Sequence, residues 1–453
     1  MKSDEKAEKT NNPAKDKKKN FVTPRTLPGF MELLPAEQVL FNKMLDTIRT
    51  TYETFGFIPL DTPIIEFAEI LLAKAGGETE KQIYKFDKGD NELALRFDLT
   101  VPLAKYVSQY YHSLTFPFRR YQIGKVFRGE RPQKGRFREF YQCDIDIIGD
   151  GELSIMNDAE IPSIIYQTFK RMGFENFTIR INNRKILNGF FEALGLRDRA
   201  SDVLRTIDKI DKIGEDSVRI ELSNIGINQA SVDSIIQFLS IKGSNSNVIS
   251  ALESMNIDNP VYLQGIQELK DVIYYIGCFE VPEKNFTVDL TIARGLDYYT
   301  GTVYETILND YPQIGSVCSG GRYDNLAEYY TEKNLPGVGI SIGLTRLFYK
   351  LLEAEIIKTA NSSTAKVLII SMIEDMSFPL KLATELRSNG INTEIYYNNK
   401  GIKGKLTYAN KLGIQFVAII GEDEIKTGEI SLKNMFTGEQ QKLPLSEIIK
   451  RVS

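Results

Sequence analysis

Between Val126 and Gly149 the chain reads VFRGERPQKGRFREFYQCDIDIIG, and its side chains alternate in character. Two strands joined by the polar turn ERPQKGR make this segment a β-hairpin. A period of two puts Arg128 and Glu130 on one face of the first strand. It puts Arg138, Phe140, Gln142, Asp144 and Asp146 on one face of the second. A face that mixes guanidinium, carboxylates, an amide and one aromatic ring belongs in a core only if every group is paired. It suits a polar ligand that carries phosphates, a flat base and an ammonium group. A solvated, ion-paired sheet face explains this segment alone equally well.

Other segments supply groups of the same kind. Arg136 lies in the hairpin turn, and Arg346 follows the glycine-rich run GVGISIG that starts at Gly337. Three arginines and the Phe140 ring suit ATP, with guanidinium forks for phosphate oxygens and a π-face for adenine. Gly337, Gly339 and Gly343 would let the backbone approach a nucleotide closely, although tight packing accounts for each glycine taken singly. The chain has one histidine, His112, set among aromatics in YVSQYYHSLTF, where a helix-end or packing role fits it. Unless His112 serves them, Ser–His and Cys–His triads and HExxH zinc sites are excluded. The chemistry must rest on arginine, carboxylates, tyrosine and backbone, which favours positioning and electrostatic stabilisation over a covalent enzyme intermediate.

Composition bounds the setting. The chain has 453 residues, long enough for roughly three domains. A hydrophobic fraction of 42% and a charged fraction of 26% are those of an ordinary soluble globular protein. The net charge of -4 gives no global pull toward nucleic acid, so any such partner must meet local basic clusters. No apolar run approaches the ~18 residues of a membrane helix, so no membrane partner is expected. Cys143, Cys278 and Cys318 are scattered, without metal-ligand spacing or a disulfide framework. The N-terminal twenty residues are lysine-rich but also acidic, with no apolar stretch, and read as a disordered tail rather than a targeting signal. The cytoplasm fits best.

These groups need elements to hold them. Val39, Leu40, Met44, Leu45, Ile48, Tyr52 and Phe55 recur at helical spacing, and that helix stops near Gly56. The run FIPLDTPIIE follows, and Pro59 and Pro63 confine it to an edge strand, as at a subunit contact. Residues 93 to 103, LALRFDLTVPL, alternate as a strand that turns at Pro102. The pattern up to Gly149 lacks a βαβ rhythm, so a mainly antiparallel sheet is expected. From Glu152 to Pro282 short helices dominate and look like an inserted module. Chemistry returns with VDLTIARGLDYYTGTVYE, CSGGRYDNLAEYY and LPGVGISIGLTRLF. Beyond the polar linker IKTANSSTAK, strands and helices alternate as in a small, mainly parallel α/β domain. GIKGKLT at Gly401 lacks P-loop spacing, and GVGISIG lacks the spacing of a dinucleotide fingerprint.

Together these motifs resemble the histidyl-tRNA synthetases, a family of class II aminoacyl-tRNA synthetases. FRGERPQKGRFREFYQCDIDIIG resembles the second class signature, PLDTPIIE the first and GVGISIGLTRLF the third. RGLDYYTGTVYE and GGRYDNL resemble the two signatures particular to the histidine enzymes. The likeness implies an α+β fold: a class II antiparallel-sheet catalytic domain with a helical insertion, and a C-terminal α/β anticodon-binding domain. The expected boundaries are 1–20 for the tail, 21–356 for the catalytic domain with its 175–282 insertion, 357–365 for the linker and 366–453 for the last domain.

The resemblance also implies roles. Asp98, Thr100 and Gln142 match positions that hold the histidine α-amino group. Asp146 and Tyr299 match those that grip the imidazole, with Tyr298 adjoining. Arg128 matches the arginine on the ATP α-phosphate and the histidine carboxylate, Arg294 the one opposite it, and Arg346 the one on the γ-phosphate. Glu130 and Phe140 match adenine-side positions, and Arg136 the triphosphate end. Arg128, Arg294 and Arg346 would be the catalytic residues, with ATP as substrate, Mg²⁺ as cofactor, tRNA(His) and L-histidine as partners, and a homodimer as the assembly. No metal-ligating side chain is identified.

A site that hydrogen-bonds both ring nitrogens can reject analogues lacking them by about 10⁴–10⁵-fold. Asn325 and Thr345 stand where relatives often have Gly and Glu, at positions touching no inferred ligand atom. Lys400, Lys403, Lys405 and Lys411 are candidate phosphate contacts, or a solvated helix face. Two alternatives stay open: a catalytically inactive, synthetase-like regulatory subunit of histidine biosynthesis, and a synthetase of the same subclass for proline, threonine or glycine.

Overall fold

The computed structural model describes residues 21–73, 78–130, 135–292, 299–359 and 362–453. The expected tail at 1–20, Arg294, Tyr298 and part of the hairpin turn therefore lie outside the described residues. Strand β1 (Ile58–Pro59) is two residues long. β2 (Ile65–Phe67), β3 (Lys85–Lys88) and β4 (Asn91–Leu95) form a small antiparallel sheet in the order β2-β4-β3. β5 (Phe118–Phe127), β6 (Glu139–Ile148), β7 (Phe177–Asn183), β8 (Phe286–Val288), β9 (Thr302–Leu308), β10 (Cys318–Tyr323) and β11 (Gly337–Ile342) join β1 in the main sheet. Its order is β1-β5-β6-β11-β10-β9-β7-β8, antiparallel except where β1 meets β5 and β7 meets β8 at the two edges.

The helix Pro35–Thr54 shows why one side of this sheet is core. Pro35 sits at the first helical position, where its missing N–H costs nothing, and the Glu37 carboxylate accepts from the Leu34 amide at 2.9 Å. Phe41, Met44, Ile48 and Tyr52 lie at helical spacing and are buried. They pack with Cys143, Ile145 and Ile147, the odd-numbered side chains of β6, and with Ile164, Ile165 and Phe169 of the helix Met156–Arg171. Each such side chain contributes on the order of 2 kcal/mol by burial. The Tyr52 hydroxyl donates to the Cys143 carbonyl at 3.1 Å and fixes the helix to the strand. Gly56, at φ 77°, ends the run.

Two stretches differ from the sequence expectation. The strand expected over 93–103 stops at Leu95, and Thr100–Gln109 is a helix. The Asp98 carboxylate accepts from the amides of Thr100 and Val101 at 3.1 and 2.9 Å, which caps a helix start. Pro102 is harmless in that first turn, so it marks a beginning rather than a bend. The helical stretch 175–282 opens with β7, a full member of the main sheet, before the helices from Arg184 to Cys278.

The C-terminal sheet comprises β12 (Val367–Ser371), β13 (Thr393–Tyr396), β14 (Phe416–Ile420), β15 (Glu429–Asn434) and β16 (Gln440–Pro444), in the order β13-β12-β14-β15-β16. The first three are parallel, as expected from the strand–helix alternation. The last two add an antiparallel hairpin that the sequence did not reveal. GIKGKLT opens the helix Ile402–Leu412. Lys405 is buried there and donates to the Ser371 carbonyl at 2.5 Å, so it is no surface phosphate contact. Lys400, Lys403 and Lys411 are exposed.

Candidate active site

Register decides what meets on the other side of the main sheet. Asp144 faces Gln122 across β5 and Ser341 across β11; Ser341 faces Ser319, Ser319 faces Glu305, and Glu305 faces Arg180. One polar row thus crosses six adjacent strands. In the next row Arg120 faces Asp146, Asp146 faces Gly339, and Gly339 faces Gly321. Two glycines beside one carboxylate leave a hollow. A Cβ on Gly339 would strike the Asp146 carboxylate, and one on Gly321 would come within 2.9 Å of the Tyr299 ring.

The hollow belongs to a cavity of about 500 Å³. Asp98, Thr100, Gln142, Asp146 and Tyr299 line it together with Arg128, Glu130, Arg136, Phe140 and Arg346. Ten of the twelve site residues named from the sequence therefore converge, and the other two are Arg294 and Tyr298.

The amino-acid end is acidic and deeply buried. Asp146 is held from two sides: the Tyr323 hydroxyl donates to Oδ1 at 2.6 Å, and Arg120 Nη2 lies 2.6 Å from Oδ2. The second contact is an ion pair rather than a well-aligned hydrogen bond. Burial pushes the Asp146 carboxyl up to about 6, against the opposing pull of Arg120 and Tyr323. Burial likewise pushes Asp144 up to about 7, opposed by Arg120 and helped by the neighbouring Asp146 charge. Burial raises Asp98 as well, while the amides that it caps and the Arg128 charge pull it down. The Gln142 amide donates to Ser341 Oγ at 2.6 Å, leaving its buried Oε1 without a protein partner.

The opposite end is cationic and aromatic. The Arg128 guanidinium lies 4.3 Å from the Phe97 ring centre and 5.1 Å from that of Phe140, with Nε donating to the Phe97 carbonyl at 3.2 Å. Arg136 reaches Glu130 at 3.5 Å. Arg346, in the helix Leu344–Glu353, donates to the Ile314 carbonyl at 3.1 Å. Thr345 beside it accepts from the Tyr141 amide at 2.8 Å, so this departure from the common family pattern joins the helix to β6. Asn325 has φ -117°, which any residue adopts and which needs no glycine.

Some expectations change. Arg138 was placed on the ligand face, but its Nε donates to the Glu130 carbonyl at 2.9 Å and its stem packs over Gly29. Gly337 and Gly339 make room for Tyr323 and Asp146 rather than for a nucleotide, whereas Gly343 does leave open space. His112 is exposed just past the helix Thr100–Gln109, edge-on to Tyr111 and away from the cavity.

The sequence reading left Arg120, Asp144, Tyr323, Ser341 and Glu305 out of the site. Period-two alternation had already put Asp144 on this face, and GGRYDNL contains Tyr323. Arg120 needs the strand register, which sequence alone does not give. Behind the cavity, Arg322 forms a buried ion pair with Asp158, Nη2 to Oδ2 at 2.6 Å. Its carbonyl accepts from the Thr300 amide at 2.8 Å, one residue from Tyr299.

Comparisons with known proteins identify the family. Residues 29–347 match the family described as histidyl-tRNA synthetase, and residues 366–453 match an anticodon binding domain. A histidine–tRNA ligase of Clostridium tetani is 64% identical over 434 residues, covering 96% of this chain and 99% of its own. One of Clostridium acetobutylicum is 49% identical over 431 residues, covering 95% and 100%. The crystal structure of histidyl-tRNA synthetase from Nostoc sp. PCC 7120 superposes with a TM-score of 0.88 at 42% identity, covering 95% of this chain and 100% of that one. A structure described as an ATP phosphoribosyltransferase regulatory subunit/histidyl-tRNA synthetase from Bacillus halodurans shares the fold, with a TM-score of 0.71 at 20% identity.

Proposed function

The chain belongs to the histidyl-tRNA synthetase family, and from that premise we propose how its cavity attaches L-histidine to tRNA at the expense of ATP. It is a class II histidine–tRNA ligase: relatives curated as such match nearly its whole length, and they favour ligation over the regulatory alternative. The observation that carries the site assignment is the single cavity with carboxylates and Tyr299 at one end and Arg128, Phe140 and Arg346 at the other.

In this reading Asp98, Thr100 and Gln142 receive the α-ammonium group, and the unpartnered Gln142 Oε1 is a ready acceptor for it. Asp146 and Tyr299 take the two ring nitrogens. Arg128 holds the substrate carboxylate against the α-phosphate, with Arg294 opposite it by family resemblance. The carboxylate oxygen then attacks the α-phosphorus as the bond to the β-bridging oxygen breaks, and pyrophosphate leaves. Arg128 and Arg294 stabilise the charge on the α-phosphate oxygens, and Arg346 orders the triphosphate tail with Arg136. Adenine stacks on Phe140, with Glu130 at its edge. A terminal ribose hydroxyl of the tRNA next attacks the adenylate carbonyl and AMP departs. No protein nucleophile is required, in keeping with a chain that has one histidine, remote from the cavity.

Mg²⁺ takes one or two carboxylates together with phosphate oxygens. Glu305, the cavity carboxylate with no other part in substrate binding, fits that donor set and would hold it. When bound, it would screen the β- and γ-phosphates.

The catalytic part is assigned to 21–356 and the anticodon-binding part to 366–453, with Lys400, Lys403 and Lys411 available to tRNA phosphates. A homodimer through the segment from β1 to β2 is supported by Ile58, Ile64, Ile65 and Phe67, large apolar side chains that are about half exposed. Among the described residues no helix is long and apolar enough to cross a membrane, and a cytoplasmic setting is proposed. Pyrophosphate exchange measured separately with histidine, proline, threonine and glycine tests the function. Exchange with histidine alone is expected; exchange with none of the four would restore the regulatory reading.

A further inference from the structure

At the amino-acid end of the cavity the fixed charges do not balance. The acids are Asp98, Asp144 and Asp146; the buried cations are Arg120, in ion-pair contact with Asp146, and Arg96, whose charge is taken up by Asp61 at 3.3 Å. Glu305, farther along the polar row, is matched by Arg180 at 3.1 Å. Tyr323 donates to Asp146 and adds no charge. The α-ammonium group of a bound amino acid offsets Asp98. Asp144 is then the carboxylate with no ion-pair contact of its own: the Ser341 hydroxyl donates to it, and Arg120 and Arg96 act on it without touching it. It is 3% exposed, it lines the cavity, and its buried Oδ1 has no hydrogen-bond partner. A buried acceptor left unmatched is costly, so the missing charge and the missing donor point to the same thing in the ligand.

We propose that Asp144 is a specificity-determining residue that makes this site bind histidine with a protonated, cationic ring. This rests on the histidine-binding reading above and adds the protonation state of the substrate to it. The free imidazole of histidine titrates at about 6.5, close to neutral pH. Burial holds Asp144 at about 7 in the protein alone. With the two groups so close, the attraction between imidazolium and carboxylate, which the neutral pair lacks, decides where the proton sits: the carboxylic acid becomes carboxylate, the imidazole becomes imidazolium, and no other group changes. Both ring nitrogens then carry hydrogen, one facing the carboxylates of Asp144 and Asp146 and the other facing the Tyr299 oxygen.

Histidine labelled with ¹⁵N in the ring, bound to the full chain at pH 7.5, reports this directly. Two protonated ring nitrogens are expected in the wild type, and a neutral tautomer in Asp144→Asn. A neutral ring in the wild type overturns the proposal and needs no variant to do so. In pyrophosphate exchange, D144N is expected to raise the KM for histidine about tenfold or more with the KM for ATP unchanged. The same variant should narrow the preference for histidine over triazolylalanine, whose ring is far less basic; an unaltered preference also overturns the proposal. Failure of the wild type to bind histidine or to support exchange would instead refute the function itself.

Discussion

Arg120 and Asp146 stand opposite one another on β5 and β6, 2.6 Å apart at Nη2 and Oδ2, with neither side chain open to solvent. Asp146 lines the cavity and Arg120 lies behind it, so in the proposed site a substrate would meet only the carboxylate of the pair. Replacing Arg120 by Met would leave a buried acid without its cation. A loss of about 3–5 kcal/mol in unfolding free energy is expected, measurable by urea titration. Arg120 is a main influence holding Asp146 down, so the variant's Asp146 titrates higher than about 6. Its histidine KM should therefore begin to climb at a higher pH than in the wild type as the solution is acidified.

Asp144 gives a stability prediction of opposite sign. Its folded value of about 7 lies above the usual carboxylate value of about 4, so between those values the folded chain holds a proton that the unfolded chain has released. Stability must then fall as pH rises through that window and stay lowered above it. Asp144→Asn has no proton to lose. It should melt higher than the wild type at pH 8, by an amount on the order of 2 kcal/mol, and the difference should shrink toward pH 5. A side chain that weakens the fold in order to serve a ligand is expected at a binding site.

Gly339→Ala tests the hollow. Its methyl group would meet the Asp146 carboxylate and the Ile145 carbonyl, both fixed by the sheet. Histidine-dependent exchange is expected to fall by at least about a hundredfold, with a modest cost of about 1–3 kcal/mol in stability. ATP affinity, measured by equilibrium dialysis, should remain within a few-fold of the wild type.

Asp158→Ala tests the support behind Tyr299. It strips the buried Arg322 guanidinium of its nearer carboxylate, leaving Asp324 at 3.5 Å, and Arg322 carries the carbonyl that holds Thr300. A loss of about 3–5 kcal/mol in stability is expected. The milder Asp158→Asn should retain the fold and raise the histidine KM more than it lowers kcat.

Alternation along FREFYQCDIDIIG was enough to sort pocket from core, because a strand's side chains strictly change sides. What alternation cannot give is which strand lies alongside. Arg120 entered the site only with the register, and Arg138, correctly phased, was drawn away by a backbone carbonyl. The stretch 96–103 failed for a different reason: Leu93, Leu95, Phe97 and Leu99 prolong a period of two past the point where Asp98 starts a helix. Local capping outweighed pattern there. The final strand pair, Glu429–Asn434 and Gln440–Pro444, is too polar for its burial pattern to stand out.

Strand β6 carries the helix-facing Cys143, Ile145 and Ile147 and the ligand-facing Gln142, Asp144 and Asp146 on the same few residues. Inserting or deleting one amino acid within it would trade the two sets, driving carboxylates into oil and isoleucines toward the substrate. Along this strand, mutation by insertion or deletion has no mild outcome: a chain that could no longer recognise its amino acid would, by the same shift, no longer fold.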